Sequence, residues 1–305
     1  MSQLTDADQT YFAFAPATQP QQQRRKICLA PVPDLLCKRY RIERLLGVGG
    51  MGAVFRARDL LREQLGDPSP WVAIKTLSNE CAEYPDAPTL LHSEFVRTLR
   101  LRHPGVIRAL HFDIDPGSEH PFIVMELLNG LTLDQLLLRQ SGEIPWREVR
   151  AIGCDLVAAV AYCHLQGTVH GDIKPSNILV GNQGLRLFDF GLGRSLGDAL
   201  PRLDPERFQA WTPRYAAPEI LDGEPVSCAS DVYSLGRVLL ELSGAGTDQT
   251  RRRHPLPGEL WQLLNRAIAS QPDQRCTASQ LLAAWKTVPE RAPLKLRLPG
   301  LRRRR

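Results

Sequence analysis

The chain has 305 residues, of which 43% are apolar, so it is long enough to bury a large core as one bilobal domain or as two domains. No apolar run approaches the length of a membrane span, and the first residues lack the basic-then-apolar order of a secretory signal. The seven cysteines are scattered without a C-x-x-C pair, which argues against a disulfide frame or a zinc site and predicts reduced thiols in a cytoplasmic protein.

The formal net charge of +5 is concentrated at the C-terminal end. Residues 294–305 carry six positive charges and no acid, so the remainder of the chain is close to neutral, at −1. We expect residues 288–305 to form a solvated basic tail that could contact an acidic partner. Nucleic acid is not the expected partner, because no aromatic residue is interleaved with the arginines to stack on bases.

The first part of the chain is predicted to be rich in strands. Residues 1–36 are rich in Gln and Pro and predict a disordered leader. One helix is predicted at residues 90–101, where the apolar spacing is helical and His103-Pro104 follows as a stop. Alternating or compact apolar runs predict strands at residues 40–46, 53–59, 71–75, 107–112 and 122–126.

After Gly130 the pattern becomes helical. Amphipathic or fully apolar spacing predicts helices at residues 146–165, 230–242, 259–269 and 278–285. The chain is therefore predicted to be an α+β protein with a strand-rich N-lobe at about 40–126, a hinge at about 126–130 and a mostly helical C-lobe at about 131–287. The cleft between two such lobes is a preferred place for a nucleotide.

The richest chemical signal is the run from His170 to Asn177, followed twelve residues later by Asp189-Phe190-Gly191. Phosphoryl transfer requires a carboxylate that takes the proton of a hydroxyl nucleophile, and we assign this role to Asp172. Asn177 and Asp189 would hold Mg²⁺, with Mn²⁺ as an alternative, and Lys174 would steady the γ-phosphate. His170 is predicted to pack below the site, because Asp172 already occupies the position of the base.

A glycine-rich turn separates the first two predicted strands. Residues 47–52 have the spacing G-x-G-x-x-G, which lets backbone amides close over phosphates, although ordinary tight turns also show it. Lys75 ends a later predicted strand, and together with the turn it predicts a lysine that contacts phosphate. A buried lysine needs a counter-charge. We expect Glu94 on the predicted helix to pair with Lys75 rather than to be simply exposed to solvent.

These motifs resemble those of the eukaryotic-like (Hanks-type) bacterial serine/threonine protein kinases over about residues 40–286. The resemblance implies a protein kinase domain at 37–287 that uses ATP and Mg²⁺ and acts on proteins bearing Ser or Thr. Lys174 two residues after Asp172, and Thr212 in the run that ends Ala217-Pro218-Glu219, match the Ser/Thr-specific branch. By the same resemblance Asp231 anchors the catalytic loop and Arg275 pairs with Glu219.

The resemblance also implies the nucleotide site, with Met125 as gatekeeper and a hinge whose backbone bonds adenine. Lys75, Glu94, Asp172 and Lys174 form the implied catalytic set. The residues implied to contact ATP are Leu46, Gly47, Val48, Gly49, Gly50, Met51, Gly52, Val54, Ala73, Lys75, Met125, Glu126, Leu128 and Leu179.

The chain departs from this family at three places. Gly171 stands where most such kinases have Arg, and residues 192–211 contain a single hydroxyl side chain, Ser195, so activity is predicted not to depend on phosphorylation of this loop. Only 44 positions separate Asp231 from Arg275, which predicts a shortened or missing helix at 246–257 with a basic loop at 251–253. Thr98 and Ala109 are small, so the helix that carries Glu94 could be loosely held until a partner sets it.

Two other classes of protein compete with an active protein kinase. Small-molecule phosphotransferases commonly have H-G-D with Asn five residues later, but they usually lack the other motifs present here: Lys174, Asp189-Phe190-Gly191 and the run ending at Glu219. A pseudokinase scaffold would be favoured by loss of Lys75, Asp172 or Asp189, and all three are retained.

Overall fold

The computed structural model describes residues 32–48, 52–77, 86–139, 144–195, 212–244 and 256–288. Within these ranges the first part of the chain forms a curled sheet with one long helix, and the second part is mainly helical. The predicted α+β fold with two lobes is confirmed. No helix among the described residues is both long and apolar enough to cross a membrane.

The N-lobe is built on an antiparallel sheet of six strands in the order β1-β2-β3-β4-β6-β5. The central strand β4 is almost entirely buried, as a strand covered on both faces should be. Its register places Lys75 between Val54 of β3 and Ile123 of β6. The strands are β1 (Leu35–Leu36), β2 (Tyr40–Val48), β3 (Gly52–Asp59), β4 (Trp71–Leu77), β5 (Ala109–Ile114) and β6 (Pro121–Glu126).

One helix of the N-lobe carries a predicted site residue. Helix α2 (Ala87–Arg100) buries Leu91, Glu94 and Thr98, which are spaced three and four residues apart and therefore share one face. A shorter helix, α1 (Leu60–Gln64), was not predicted. It begins because the Asp59 carboxylate accepts hydrogen bonds from two backbone N–H groups of its first turn.

The C-lobe helices enclose one large apolar core. The predicted helix 146–165 is confirmed without a change of bounds. Gly153 lets the last helix pack closely, because a Cβ at this position would lie 2.0 Å from the Trp285 ring. The helices are α3 (Leu133–Arg139), α4 (Trp146–Leu165), α5 (Pro218–Leu221), α6 (Cys228–Leu242), α7 (Gly258–Ala267) and α8 (Ala278–Lys286).

Two small sheets hold the loops that carry the chemical motifs. The chain passes from β8 into the His170–Asn177 run before β9, and from β10 into the Asp189 segment before β11. The three-stranded sheet β7–β9–β10 and the two-stranded sheet β8–β11 therefore bring the two loops side by side. These strands are β7 (Leu131–Thr132), β8 (Thr168–Val169), β9 (Ile178–Gly181), β10 (Gly184–Leu187) and β11 (Arg194–Ser195).

The fold begins earlier than the predicted leader boundary at residue 36. Leu35–Leu36 forms β1 and pairs with β2, and Leu36 is fully buried. Leu36 is therefore part of the core and anchors β1, whereas Leu35 is exposed. Residues 1–31, most of the predicted tail, and most of the predicted short loop at 246–257 lie outside the described residues.

Candidate active site

The loop at residues 170–172 is held from below by one buried carboxylate. Asp231 on α6 accepts backbone hydrogen bonds from His170 and Gly171, both at 2.8 Å. It also bonds Nε2 of His164 on α4 at 2.9 Å. Burial alone would lower the pKa of His164, but Asp231 together with Cys228 outweighs it and raises the pKa to about 9, so the ring is cationic at neutral pH. The role of His164 in this site was not predicted, because its partner Asp231 lies 67 positions away in the chain.

The buried His170 has both ring nitrogens engaged. Nδ1 accepts the N–H of Asp172 at 3.1 Å, which leaves Nε2 to donate to the Phe188 carbonyl at 3.0 Å. The ring also packs on Phe190, with 4.5 Å between centroids. His170 therefore supports the two loops and has no free nitrogen to act as a base, in agreement with its predicted packing role.

The structure brings Asp172, Lys174 and Asn177 together. Lys174 Nζ lies 2.7 Å from Asp172 Oδ2, and Asn177 Nδ2 donates to the same oxygen at 3.0 Å and to the Asp172 carbonyl at 2.8 Å. Burial alone would lower the pKa of Lys174, but Asp172 raises it, so the amine stays charged. Since the Asn177 nitrogen points to Asp172, its amide oxygen remains available as an acceptor.

A second ion cluster joins the two lobes. Lys75 Nζ contacts Glu94 Oε1 at 2.6 Å and Asp189 Oδ1 at 2.7 Å. The side chains of Lys75 and Glu94 are each 9% exposed, so neither charge could stand alone. The predicted counter-charge for Lys75 is therefore present, and a second carboxylate shares it.

Within this cluster the pKa values of the two carboxylates shift in opposite directions. Burial would lower the pKa of Lys75, but Asp189 and Glu94 outweigh it and raise the pKa. Burial raises the pKa of Glu94 despite Lys75, whereas for Asp189 the opposing effect of Lys75 prevails and lowers the pKa. Asp189 is thus the more firmly ionised carboxylate, as a cation ligand should be. Its backbone has a positive φ of 70°, which is unusual outside glycine and typical of functional positions.

Six of the residues predicted to contact the nucleotide belong to one buried apolar cluster that spans both lobes. Leu179 reaches it from β9 in the C-lobe, and the others come from the N-lobe sheet and the segment after β6. Apolar side chains contributed by both lobes in this way suit a planar base. The six are Leu46, Val54, Ala73, Met125, Leu128 and Leu179.

The remaining predicted nucleotide residues are placed differently. Gly47 and Val48 end β2, and residues 49–51 lie outside the described residues. Packing explains why residue 52 is a glycine, because a Cβ there would lie 1.9 Å from the Thr76 carbonyl oxygen. The Glu126 side chain accepts the N–H of Arg108 at 2.9 Å, and the Glu126 N–H donates to the Arg108 carbonyl at 3.1 Å, so neither of these groups is available to a nucleotide.

Two glycines let the two loops approach through their backbones. Gly171 has a φ of 82°, and a Cβ there would lie 2.7 Å from the Leu192 carbonyl oxygen. Opposite it, a Cβ at Gly193 would lie 2.5 Å from the Val169 carbonyl oxygen. A side chain at position 171 would be strained in this conformation and would force the loops apart.

The segment after residue 212 is tied to the C-lobe by two contacts. Arg275 forms a forked pair with Glu219, at 2.6 and 2.7 Å, as the family resemblance implied. Tyr215 donates its hydroxyl to Glu241 at 2.7 Å, a contact that was not predicted. The only indication of this contact in the sequence is that Glu241 lies on the same amphipathic helix as Asp231.

The residues present fit both ATP and a divalent cation. The free amide oxygen of Asn177 and the ionised carboxylate of Asp189 are the hard oxygen ligands that Mg²⁺ prefers. The apolar cluster adjoins these charges in the chain, because Ala73 lies two residues before Lys75 on β4 and Phe188 directly precedes Asp189.

The sequence profile described as "Protein kinase domain" matches residues 40–285. The chain belongs to the protein kinase family. Among its relatives are the serine/threonine-protein kinases PkaA and PkaB of Streptomyces coelicolor, which are 33% and 34% identical over 83% and 80% of this chain. The serine/threonine-protein kinase PknB of Mycolicibacterium smegmatis is 32% identical over 82% of it.

The kinase match covers 50% of PkaA, 43% of PknB and 62% of PkaB, so the chain spans about half the length of these relatives. The predicted family is confirmed, and the matched residues include both lobes and every loop of the candidate site.

Proposed function

We propose that this kinase domain transfers the γ-phosphate of ATP to serine and threonine hydroxyls of proteins. The observation that carries the proposal is the contact of Lys75 with both Glu94 and Asp189, beside the Asp172–Lys174–Asn177 cluster. Together they supply the phosphate contact, the cation ligands and the base that phosphoryl transfer needs. The printed names of the relatives support the same activity.

Asp172 is the proposed base. A protein hydroxyl placed against its carboxylate would be oriented by Oδ1, because Oδ2 is already occupied by Lys174 and Asn177. Lys174 holds the carboxylate in place and presents a positive charge to the γ-phosphate. Asp172 then receives the hydroxyl proton as the phosphoryl group is transferred.

Asn177 and Asp189 are the proposed ligands of Mg²⁺, with Mn²⁺ as an alternative. A cation held there would neutralise charge on the phosphate oxygens. Lys75 is proposed to contact the nonreacting phosphates, with Glu94 fixing its position. The six residues of the apolar cluster would sandwich adenine, the backbone of 126–128 would bond its edge, and the turn at 47–52 would cover the phosphates.

Incubation with labelled ATP and Mg²⁺ is expected to label serine and threonine in generic protein substrates or in the chain itself. Chelation of the divalent cation with EDTA should abolish labelling, and excess Mg²⁺ should restore it. Transfer to aminoglycosides or choline with no labelled protein would overturn the proposal in favour of a small-molecule phosphotransferase. Absence of transfer to every acceptor, with ATP still bound, would favour a pseudokinase scaffold.

We further propose that activity does not require phosphorylation of the segment 192–211. Gly171 cannot pair with a phosphate, whereas the arginine usual in this family can. The close backbone approach at Gly171 and Leu192 supplies an alternative way to hold the start of this segment against the catalytic loop. Ser195, the single hydroxyl side chain of the segment, is buried in β11 and so is poorly placed to accept phosphate.

Phosphatase treatment of the purified protein is therefore expected to leave its kcat within about twofold of the untreated value, which is below 1 kcal/mol of barrier. The matched variant Ser195→Ala should behave in the same way, since it removes the single hydroxyl of the segment. Loss of activity after dephosphorylation that rephosphorylation restores would contradict this proposal.

Four finer expectations also remain proposals. The kinase domain is proposed to act in the cytoplasm, and its boundaries are proposed near residues 37 and 287. The basic tail at 288–305 is proposed to contact an acidic partner. The basic loop at 251–253 is proposed to replace a full docking helix, and it lies outside the described residues.

A further inference from the structure

An exposed apolar surface lies where α2 meets β5. His92, Phe95 and Leu99 follow one side of α2 at spacings of three and four, and Phe112 and Ile114 share a face of β5. Leu99 is 42% exposed and Ile114 is 44% exposed, although both are large aliphatic side chains. We call these five residues the α2–β5 patch.

The aromatic part of the patch is continuous, and β5 lies at the sheet edge. The Phe112 ring lies 5.0 Å from that of His92 and 6.0 Å from that of Phe95, which joins the helix to the strand. Leu110, beside Phe112 at a β-bulge, is 40% exposed and extends the surface. Among the described residues β5 pairs with β6 alone, so its outer edge is open. Contiguous apolar surface beside an open edge commonly marks a binding site.

Cys37, near the start of the described chain, lies at the end of β5. Its backbone N–H donates to Asp115 Oδ1 at 2.6 Å, and its thiol lies 3.8 Å from the Ile114 carbonyl oxygen. Val32 itself packs on the cluster of Leu36, Tyr40 and Phe122, on the face of the sheet opposite to Phe95 and Phe112, so the preceding polypeptide joins the fold from that face. Thirty-one residues precede this point, and they lie outside the described residues.

One short run in these residues has the composition that the patch requires. The aromatic residues of 1–31 are all in the run Tyr11-Phe12-Ala13-Phe14, which lies between stretches rich in Gln, Thr, Asp and Pro. Aromatic side chains gain most from packing on other aromatic rings and aliphatic groups. Eighteen positions connect Phe14 to Val32, and an extended chain of that length spans about 60 Å, far more than the patch requires.

We propose that residues 11–15 pack onto the α2–β5 patch of their own chain. The connection makes this association intramolecular, so weak contacts suffice to populate it. Contact with Phe95 and Leu99 would support α2 from outside, on the helix that presents Glu94 to Lys75. It would compensate for the small Thr98 and Ala109 on the inner side. The docking itself does not depend on the proposed kinase activity.

Photocrosslinking of the full chain tests this placement directly. Benzoyl-phenylalanine at position 12 is expected to form intramolecular crosslinks with α2 or β5 in the monomer, identified by mass spectrometry. The same group at Gln21 is the matched control and should not. The variant Leu99→Ser/Ile114→Ser should abolish the crosslinks from position 12, and both side chains are exposed enough for the fold to tolerate it.

Hydrogen exchange gives an independent readout. The variant Phe12→Ser/Phe14→Ser should show a loss of amide protection confined to α2 and β5, whereas Gln21→Ser/Gln22→Ser should show none. Crosslinks between copies at high protein concentration would overturn the proposal in favour of a dimer through this patch. Crosslinks elsewhere, or unchanged protection in the Phe12→Ser/Phe14→Ser variant, would also overturn it.

Discussion

Replacement of Asp172 by Asn is expected to lower kcat for phosphoryl transfer by about a thousandfold, or about 4 kcal/mol of barrier. The amide cannot receive the hydroxyl proton, so the step loses its base. The KM for ATP should change little, because Asp172 contacts Lys174 and Asn177 and is not among the proposed nucleotide residues. The fold should persist, since the amide keeps the shape of the carboxylate and still accepts the Asn177 hydrogen bond.

A steady-state assay with labelled ATP and a protein substrate measures this effect. The matched control is Asp222→Asn, which makes the same change at an exposed acid that ends α5. Its kcat should be that of the wild type. A kcat for Asp172→Asn within tenfold of the wild type would show that another group serves as the base.

Replacement of Arg275 by Met is expected to lower the free energy of unfolding by about 3–5 kcal/mol, because it leaves the Glu219 carboxylate without its buried partner. The Arg275 side chain is fully buried and forms the forked pair at 2.6 and 2.7 Å. It also donates to the carbonyls of Ala229, Ala269 and Ser270, which lie around the start of α6 and the end of α7. Met fills similar volume but satisfies none of these acceptors.

Urea denaturation of the purified variants measures the change. Arg62→Met is the matched control, since it breaks an ion pair with Asp67 at the surface. The Arg62 side chain is 37% exposed and the Asp67 side chain is 30% exposed. Surface pairs of this kind contribute about 0–1 kcal/mol. Restoration of most of the lost stability by the double variant Arg275→Met/Glu219→Met would support the stated cause. A loss for Arg275→Met no greater than for Arg62→Met would contradict it.

The correctly predicted elements are those whose signals are local. Helix α4 is long and apolar, and it was predicted with its observed bounds. The predicted helix 230–242 begins two residues early in the structure, because Ser227 and Ser230 form a capping box before it. The elements that were not predicted are short, at two to seven residues, and so few residues do not show a clear period. They are β1, β7, β8, β9, β10, β11, α1, α3 and α5.

The family and the candidate residues Lys75, Asp172, Asn177 and Asp189 could be identified from local motifs in the amino-acid chain. Each is recognised from its neighbours in the chain, because motif spacing is a local property. The pairing of Lys75 with Glu94 was also inferred beforehand, from the cost of burying an unpaired charge.

Contacts between groups far apart in the chain could be seen only in the folded molecule. Lys75 and Asp189 are 114 positions apart and share an ion pair, and Asp231 holds residues 60 positions away. The approach of Gly171 to Leu192, and the nearness of Cys37 to the end of β5, depend on how whole strands pair. Such contacts arise from the packing of separate elements into one core, for which no local pattern carries a signal.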